Sequence, residues 1–395
     1  MATHIGIGFS CLTDPAQAAK EAAAQAKNQL NVSTTELVIV FTSITHAVPQ
    51  VIETISKILR PNKIIGSSTT GIILADKVSP KGVAVLAINS DDVQFSTTVM
   101  PDIAGKDMRM AGFQMARDLG TEHKNPGRQM LLVLSDSGLN NGSLFSQGVK
   151  EVLGSSTPTV GAISSDNFQF KKCTQFHQNQ ILSNAAVGLL IGGQVSIAIG
   201  SKHGWKPLGK PRTIDKADGN IIRTIDGQPA AQLYETYFGD EVHNLKESRT
   251  GSMAILYPLG IYLDGERTYL LRNAIDIRED GSIVCQGEVP EGAQMHLMIG
   301  SKESCKQAAL EAALEVRDGL SGRQAKLILI IESMTRYKLL GRSASHEIQM
   351  IKDILGYTTP MIGMYSAGEI GPFLTSDNEK NTHLQNESIV IIALS

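Results

Sequence analysis

Three times in this chain of 395 residues an apolar run stops at a polar pair. Leu37–Ser43 ends in Thr42-Ser43, Leu131–Ser137 in Asp136-Ser137, and Leu327–Ser333 in Glu332-Ser333. Each run is followed further on by a Gly-x-x-[Ser/Thr] turn: Gly66 with Thr69, Gly161 with Ser164, Gly363 with Ser366. Hydroxyls and turn N–H groups hold a carboxylate, while Asp or Glu holds an ammonium. Together they suit an amino acid or a similar small polar metabolite. In open α/β sheets such residues lie beyond the carboxyl ends of strands, where loops converge on a ligand. The same residue types also cap helices and close turns, which is the commoner role for any one of them.

Two more side chains join this set. Glu369 lies between Gly368 and Gly371, where a ligand could approach closely, although a turn carboxylate satisfied by backbone N–H groups reads the same way. Arg272 follows the apolar run Tyr269–Leu271. It could grip a carboxylate with its planar fork, or pair with an acid such as Glu288. The candidate ligand-binding residues are therefore Ser43, Thr69, Asp136, Ser137, Ser164, Arg272, Glu332, Ser333, Ser366 and Glu369.

Other chemistry finds less support. Cys285, in SIVCQG, reads as a buried small apolar residue before it reads as a nucleophile. Gly66–Gly71 has the outer spacing of a phosphate loop, but Ile72-Ile73 stand where Lys and Ser/Thr would be needed. Gly6-Ile7-Gly8 lacks the third glycine of a dinucleotide turn. His346-Glu347 lacks the second His of a zinc helix. No metal site and no cofactor are expected. The enzymatic alternative is a Ser- or Cys-dependent hydrolase or acyl-transfer enzyme acting through Ser137, Ser366 or Cys285; a ligand-free scaffold is the remaining one.

The elements that must position these residues are legible. Asp14-Pro15 caps and opens a helix of strong helix formers, AQAAKEAAAQAKNQL. Middle helices carry core-facing stripes: Val51, Ile52, Ile55, Ile58 and Leu59, then Leu144, Phe145, Val149, Val152 and Leu153, then Ile348, Ile351, Ile354 and Leu355. The second and third copies agree closely, Leu153-Gly154-x-x-Thr157-Pro158-x-Val160-Gly161 matching Leu355-Gly356-x-x-Thr359-Pro360-x-Ile362-Gly363. Asn184 stands as far beyond Gly161 as Asn386 stands beyond Gly363. The pattern predicts an α/β fold of repeated β-α-β-α-β units, with mixed sheets covered by helices and two pseudo-equivalent halves. First strands of the units are expected at Thr3–Ser10, Val93–Met100 and Met295–Gly300. The stretch from Gly192 to Gly292 departs from the pattern and reads as a degraded unit with strands at Val195–Gly200, Ile221–Ile225 and Met253–Tyr257 and a helix at Pro229–Phe238. Tyr269–Arg272 and Ser282–Gln286 look like a hairpin. The polar stretch Gly239–Gly251 divides domains 1–240 and 250–395.

Bulk properties narrow the partners. A formal net charge of −3 supports no broad basic face, so neither nucleic acid nor an anionic membrane is expected. No apolar run approaches the roughly 20 residues that span a bilayer. The start, MATHIGIGFS, has no signal-peptide pattern, and four scattered Cys form no CxxC pair. A cytoplasmic protein is expected.

Four blocks resemble the FIST family, named for its occurrence in F-box and intracellular signal-transduction proteins. They are Leu131–Gly142 with the following TPTVGAISSDN; Gly204-Trp205-x-Pro207-x-Gly209 with Asp218-Gly219-Asn220 and Ile225-Asp226-Gly227-x-Pro229-Ala230; Tyr257-Pro258-Leu259-Gly260 with Leu271-Arg272-Asn273 and Gly287–Gly292; and Tyr365–Pro372. The resemblance implies an N-terminal and a C-terminal FIST domain. It also implies a sensory role: binding of a small ligand, with amino acids proposed, coupled to a downstream signalling protein. The chain shows no F-box-like leader, long coiled coil, kinase or cyclase motif, so the expectation is a stand-alone sensor.

Overall fold

The computed structural model describes residues 3–121, 129–169, 171–239, 256–263, 269–374 and 380–395. It is a mixed α/β structure in which one strand order occurs in three six-stranded sheets. The first sheet runs Thr3–Ser10, Val83–Ser90, Leu37–Ser43, Lys63–Thr69, Gln175–His177, Gln180–Leu182. The second runs Val93–Pro101, Ala185–Gly193, Met130–Ser135, Thr159–Ile163, Gly368–Leu374, Lys380–Gln385. The third runs Ile197–Lys202, Ile389–Leu394, Leu327–Ser333, Met361–Ser366, Ile72–Leu74, Val78–Ser79. In each, the third and fourth strands are parallel and the other neighbours antiparallel.

The last two strands of every sheet come from a different unit. After each Gly-x-x-[Ser/Thr] turn the chain leaves its own sheet and adds a pair of strands to another. Residues 72–79 go to the third sheet, 175–182 to the first and 368–385 to the second, which closes a cycle. The three sheets therefore interlock, and the three turns meet.

Both faces of the central strands are covered, which is why they read as continuous apolar runs rather than alternating ones. Leu37, Ile39 and Phe41 share one core with Leu132 and Leu134 and with Leu329 and Ile331, so the three inner faces pack on each other. The outer faces carry helices. Val38 and Val40 meet Pro15–Leu30 and Pro49–Leu59; Leu131 and Val133 meet Met108–Gly120 and Gly142–Leu153; Ile328 and Ile330 meet Lys302–Gly319 and Ala344–Leu355. Asp14 caps the first helix by accepting from Gln17 N at 2.8 Å, as its position before Pro15 predicts.

Gly6 and Gly8, which lack the third glycine of a dinucleotide turn, make a contact between strand and helix. A Cβ at Gly8 would lie 1.8 Å from the Ala22 carbonyl oxygen, and one at Gly6 would lie 1.9 Å from that of Ala26. The helix presents only Ala18, Ala19, Ala22, Ala23, Ala26 and Leu30 to the core, so it lies close. Gly8→Val should therefore cost about 1–3 kcal/mol or more in urea unfolding. Ala22→Gly should not rescue it, because the obstacle is a backbone atom; recovery in the double variant would refute this account.

Two expectations change. The strand near Met295 does not open the third unit. Gln294–Ile299 belongs to a separate eight-stranded sheet made from residues 206–299, and Ile197–Lys202 fills the opening position beside Ile389–Leu394. The stretch read as a degraded unit is thus an antiparallel insertion between the first strand and the first helix of the third unit. Nor do Tyr269–Arg272 and Ile283–Cys285 pair with each other. The former pairs with Leu259–Tyr262 and the latter with Ala274–Ile277 and Ile221–Ile222. The helix from Pro229 is Gln232–Phe238. The proposed boundary at 240–251 and most of the strand from Met253 lie outside the described residues.

Candidate functional site

Strand register shows how the three polar ends correspond. Val40, Val133 and Ile330 lie opposite Gly66, Gly161 and Gly363. The strand ends then align as Thr42-Ser43, Ser135-Asp136 and Glu332-Ser333. The middle pair lies one residue earlier than the sequence comparison expects, since that strand ends at Ser135. Asp136 N donates to Ala185 O where Ser333 N donates to Ser388 O. Asn184 therefore corresponds to Glu387, not Asn386. Both adopt left-handed backbone, at φ 49° and 62°. Asn tolerates this conformation, while a buried Glu held there is a local cost that the surroundings must offset.

The third unit gathers the candidate site. Glu332 ends its strand, and Ser333 caps the short helix Met334–Leu340 by accepting from Thr335 N. That helix turns Arg336 back over the strand end, where Nε donates to Glu332 Oε1 at 3.0 Å. Gly341, at φ 55°, ends the helix, and Ala344–Leu355 brings Glu347 to the same guanidinium. Arg336 also donates to His203 O at 2.7 Å and Cys305 O at 3.0 Å. Beside this group, Glu369 accepts from Ser366 Oγ at 2.6 Å and from Ser388 N and Oγ at 3.0 and 2.8 Å. Ser333 Oγ donates to Glu387 Oε2 at 3.4 Å. The carboxyls of Glu332, Glu347, Glu369 and Glu387 and the Arg336 side chain are all fully buried.

Four carboxyls around one guanidinium cannot all be ionised without a large desolvation cost. Burial pushes Glu369 up to about 7 against its hydroxyl donors, and pushes Glu387 up to about 8, with the Glu369 charge adding to the rise. Glu332 is raised well above the usual carboxylate range by burial and then by Glu347. Burial opposes the Arg336 charge, but Glu347 and Glu332 outweigh it and keep the guanidinium protonated. His203 is lowered to about 4 by burial and then by Arg336. Several acceptors find no protein donor: Glu332 Oε2, Glu347 Oε2, Glu387 Oε1, Asn273 Oδ1 and the Tyr365 hydroxyl. Among the described residues no group of His, Cys, Asp and Glu has the arrangement of a metal site.

A cleft of about 540 Å³ adjoins the cluster. His203 and Gln385 line it, as do Trp205 and Ser304. The carbonyls of His203 and of Cys305, next after Ser304, are the ones Arg336 holds, and Gln385 precedes Asn386 and Glu387 in the chain. His203, whose carbonyl Arg336 holds, and residues next in the chain to Cys305 and Asn386 therefore line the cleft.

The other expected residues lie elsewhere. Ser43 Oγ bonds His46 Nδ1 at 2.8 Å and accepts from Gly82 N. Thr69 donates to Gly71 O and Tyr365 O at 2.7 and 2.8 Å, and Ser164 bonds Ser67 at 2.7 Å; these two tie the sheets together where the turns meet. Asp136 accepts from both N and Oγ of exposed Ser137. Arg272 is buried and donates to the carbonyls of Glu288, Leu271 and Leu384, not to the Glu288 carboxylate, which takes Asn141 instead. Cys285 is buried and its thiol is pushed up to about 12 by burial. Of the expected set, Glu332, Ser333, Ser366 and Glu369 come together. Arg336, Glu347, Glu387, Ser388 and His203 were not anticipated. Glu347 left a readable signal, an acid on the helix face shared with Ala344, Ile348, Ile351 and Leu355.

Comparison with known proteins adds family context. The FIST N domain model matches residues 36–228 and the FIST C domain model residues 230–372. An uncharacterized protein of Mycobacterium bovis is 23% identical over 383 residues, 93% of this chain and 94% of that one. One from Mycobacterium tuberculosis is 24% identical over 378 residues, 93% and 95% of the two chains. One from Methanocaldococcus jannaschii is 23% identical over 370 residues, 88% of this chain and 69% of its own. Among solved structures, the cyanuric acid hydrolase from A. caulinodans superposes with a TM-score of 0.37 at 9% identity, covering 99% of this chain and 98% of that one. No helix among the described residues is long and apolar enough to cross a membrane.

Proposed function

The chain belongs to the FIST family, with a FIST N and a FIST C domain in sequence, and on that premise we propose that it is a small-molecule sensor in signal transduction. Its ligand is an amino acid or a similar small polar metabolite with an amino group. The ligand enters by the cleft and reaches Glu332, Arg336, Glu347, Glu369 and Glu387. One observation carries this reading: a fully buried cluster in which three carboxyl oxygens have no donor from another residue type, behind residues that line a cleft. Buried acceptors without partners are costly, and an incoming donor removes that cost.

The same cluster supports a route to an output. It lies where the insertion meets the three-sheet body. Asn273 N donates to Asn386 Oδ1, Gln286 Nε2 to Ala367 O and Arg272 to Leu384 O, all across that boundary. A ligand that repositions Glu387 alters the seating of the eight-stranded sheet, which a downstream signalling protein can read. Cytoplasmic location accords with four free Cys among the described residues.

A thermal-shift screen of amino acids and related amines tests the reading. Ligand at 100 times its Kd should stabilise the protein by about 2.7 kcal/mol. Absence of any shift up to millimolar concentrations, with wild type folded throughout, would remove the sensor assignment.

A further inference from the structure

Resting on the reading just given, we infer that the ligand is an alkyl amine without a carboxylate beside its nitrogen, such as a diamine, bound with its ammonium in the carboxyl cluster and its tail in the adjoining cleft. The acceptors set the first half of this. Apart from a proton shared between the Glu332 and Glu347 carboxyls, no side chain donates to Glu332 Oε2, Glu347 Oε2 or Glu387 Oε1, and Asn273 Oδ1 and the Tyr365 hydroxyl, both on buried residues, have no partner. Tyr365 feels the charges of Glu332 and Glu347, and Asn273 bonds Glu387, so both belong to the same cluster. An ammonium supplies three N–H donors and no acceptor, which is what these oxygens lack.

The cations set the second half. A guanidinium holds an α-carboxylate best through two parallel N–H groups. Arg336 spends Nε on Glu332, Nη1 on His203 O, and Nη2 on Cys305 O and Glu347. Arg272 spends Nε on Glu288 O and Nη1 on Leu271 O and Leu384 O. Arg336 has every nitrogen committed, and Arg272 has only Nη2 left, so neither presents parallel N–H groups on two free nitrogens. A carboxylate carried in beside the amine would instead face four carboxyl groups. The cleft carries both signs: Glu303 and Glu311 line it and can meet a second ammonium, while Lys202, paired with Glu315, and Lys206 also line it.

Protons complete the balance. The groups facing the cluster are Glu332, Glu347, Glu369, Glu387, Arg336, Tyr365, Cys305 and His203, with Arg272 behind. Arg336 is the charged base among them, and burial holds Glu369 and Glu387 protonated near neutral pH. An ammonium entering as R–NH₃⁺ replaces one carboxyl proton, which leaves to solvent. No covalent bond forms, and the cluster's charge is unchanged.

The experiment is calorimetric titration of the whole chain with 1,4-diaminobutane, lysine and glycine at pH 6.5 and 8.5, in buffers of different ionisation enthalpy. The expected result is that the diamine binds, tenfold or more tightly at pH 8.5. It should release close to one proton per bound ammonium at pH 6.5 and clearly less at pH 8.5, where the cluster has already lost most of its protons, and glycine should not compete. Glu387→Gln and Glu332→Gln, checked for folding by circular dichroism, should each weaken the diamine at least tenfold. If glycine or lysine binds through these residues and the diamine does not, the inference fails while the sensor reading stands. If none of these probes binds and the broader screen is also silent, both fail. Diamine binding that neither variant weakens overturns the site.

Discussion

Replacing Arg336 with Met should cost the fold on the order of 3–5 kcal/mol, because it strips the guanidinium bonded to Glu332 and Glu347 and leaves both carboxyls buried. It also removes the donors to His203 O and Cys305 O. The loss should depend on pH. Without Arg336 the carboxyls stay folded only when protonated, so the deficit measured by urea unfolding should be larger at pH 8.5 than at pH 5.5. Glu347→Gln in the same background should recover part of it, since the amide removes one latent charge. Arg336→Lys should remain well short of wild type, because one ammonium cannot reach four acceptors as a planar fork does. Equal deficits at both pH values, with no recovery in the double variant, would show that shape rather than charge is what Arg336 supplies.

The second large effect is the protein's own response to pH. Glu369 and Glu387 hold folded-state pKa values of about 7 and about 8. An unfolded Glu titrates near 4.3. Between these limits the folded state binds more protons than the unfolded state, so stability falls as pH rises. The contribution is fully present below the unfolded value and is lost as pH passes through about 7 and about 8. A tenfold difference in proton affinity between the two states is worth about 1.4 kcal/mol, so Glu387 alone accounts for a change on the order of 5 kcal/mol between pH ~4 and pH ~8, about half of it above pH 6. Glu387→Gln cannot ionise, so its unfolding free energy should decline less between pH 6 and pH 9 than that of wild type. The comparison of the two curves is the measurement, because other groups titrate equally in both. Parallel curves would mean that Glu387 is ionised in the folded protein at neutral pH.

The pattern of these effects follows from how one unit differs from the others. At matched places the first unit has Thr42, Ser43 and Thr69, and the second has Ser135, Asp136 and Ser164. Apart from the Thr42 hydroxyl, these small groups find partners in nearby backbone and side chains. The third unit has Glu332, Ser333 and Ser366, with Glu387 where the second has Asn184. Glu387 is therefore held in a backbone conformation that an Asn adopts cheaply and a Glu does not. The insertion enters beside this unit and covers it, which is what buries its carboxyls.

Much of this was legible in the sequence. Apolar runs with no alternation announced strands covered on both faces, and stripes at helical spacing announced the helices that cover them, because burial is written into residue type. The polar strand ends and turn hydroxyls stood out because a core needs neither. Glu332, Ser333, Ser366 and Glu369 could be chosen from one sequence for that reason. Which hydroxyls hold sheets together and which face carboxyls was not legible, because Thr69 and Ser366 occupy the same place in the same pattern. Only the exchange of strands between sheets separates them. That exchange, the entry of the strands between Lys206 and Ile299 into the third unit, and the meeting of Arg336 with the His203 carbonyl all join residues far apart in the chain. Local propensity carries no record of such pairings. Sequence determined the elements and the chemistry at their ends; the tertiary structure decided which ends are buried together, and burial is what sets four ordinary carboxyls apart as a candidate site.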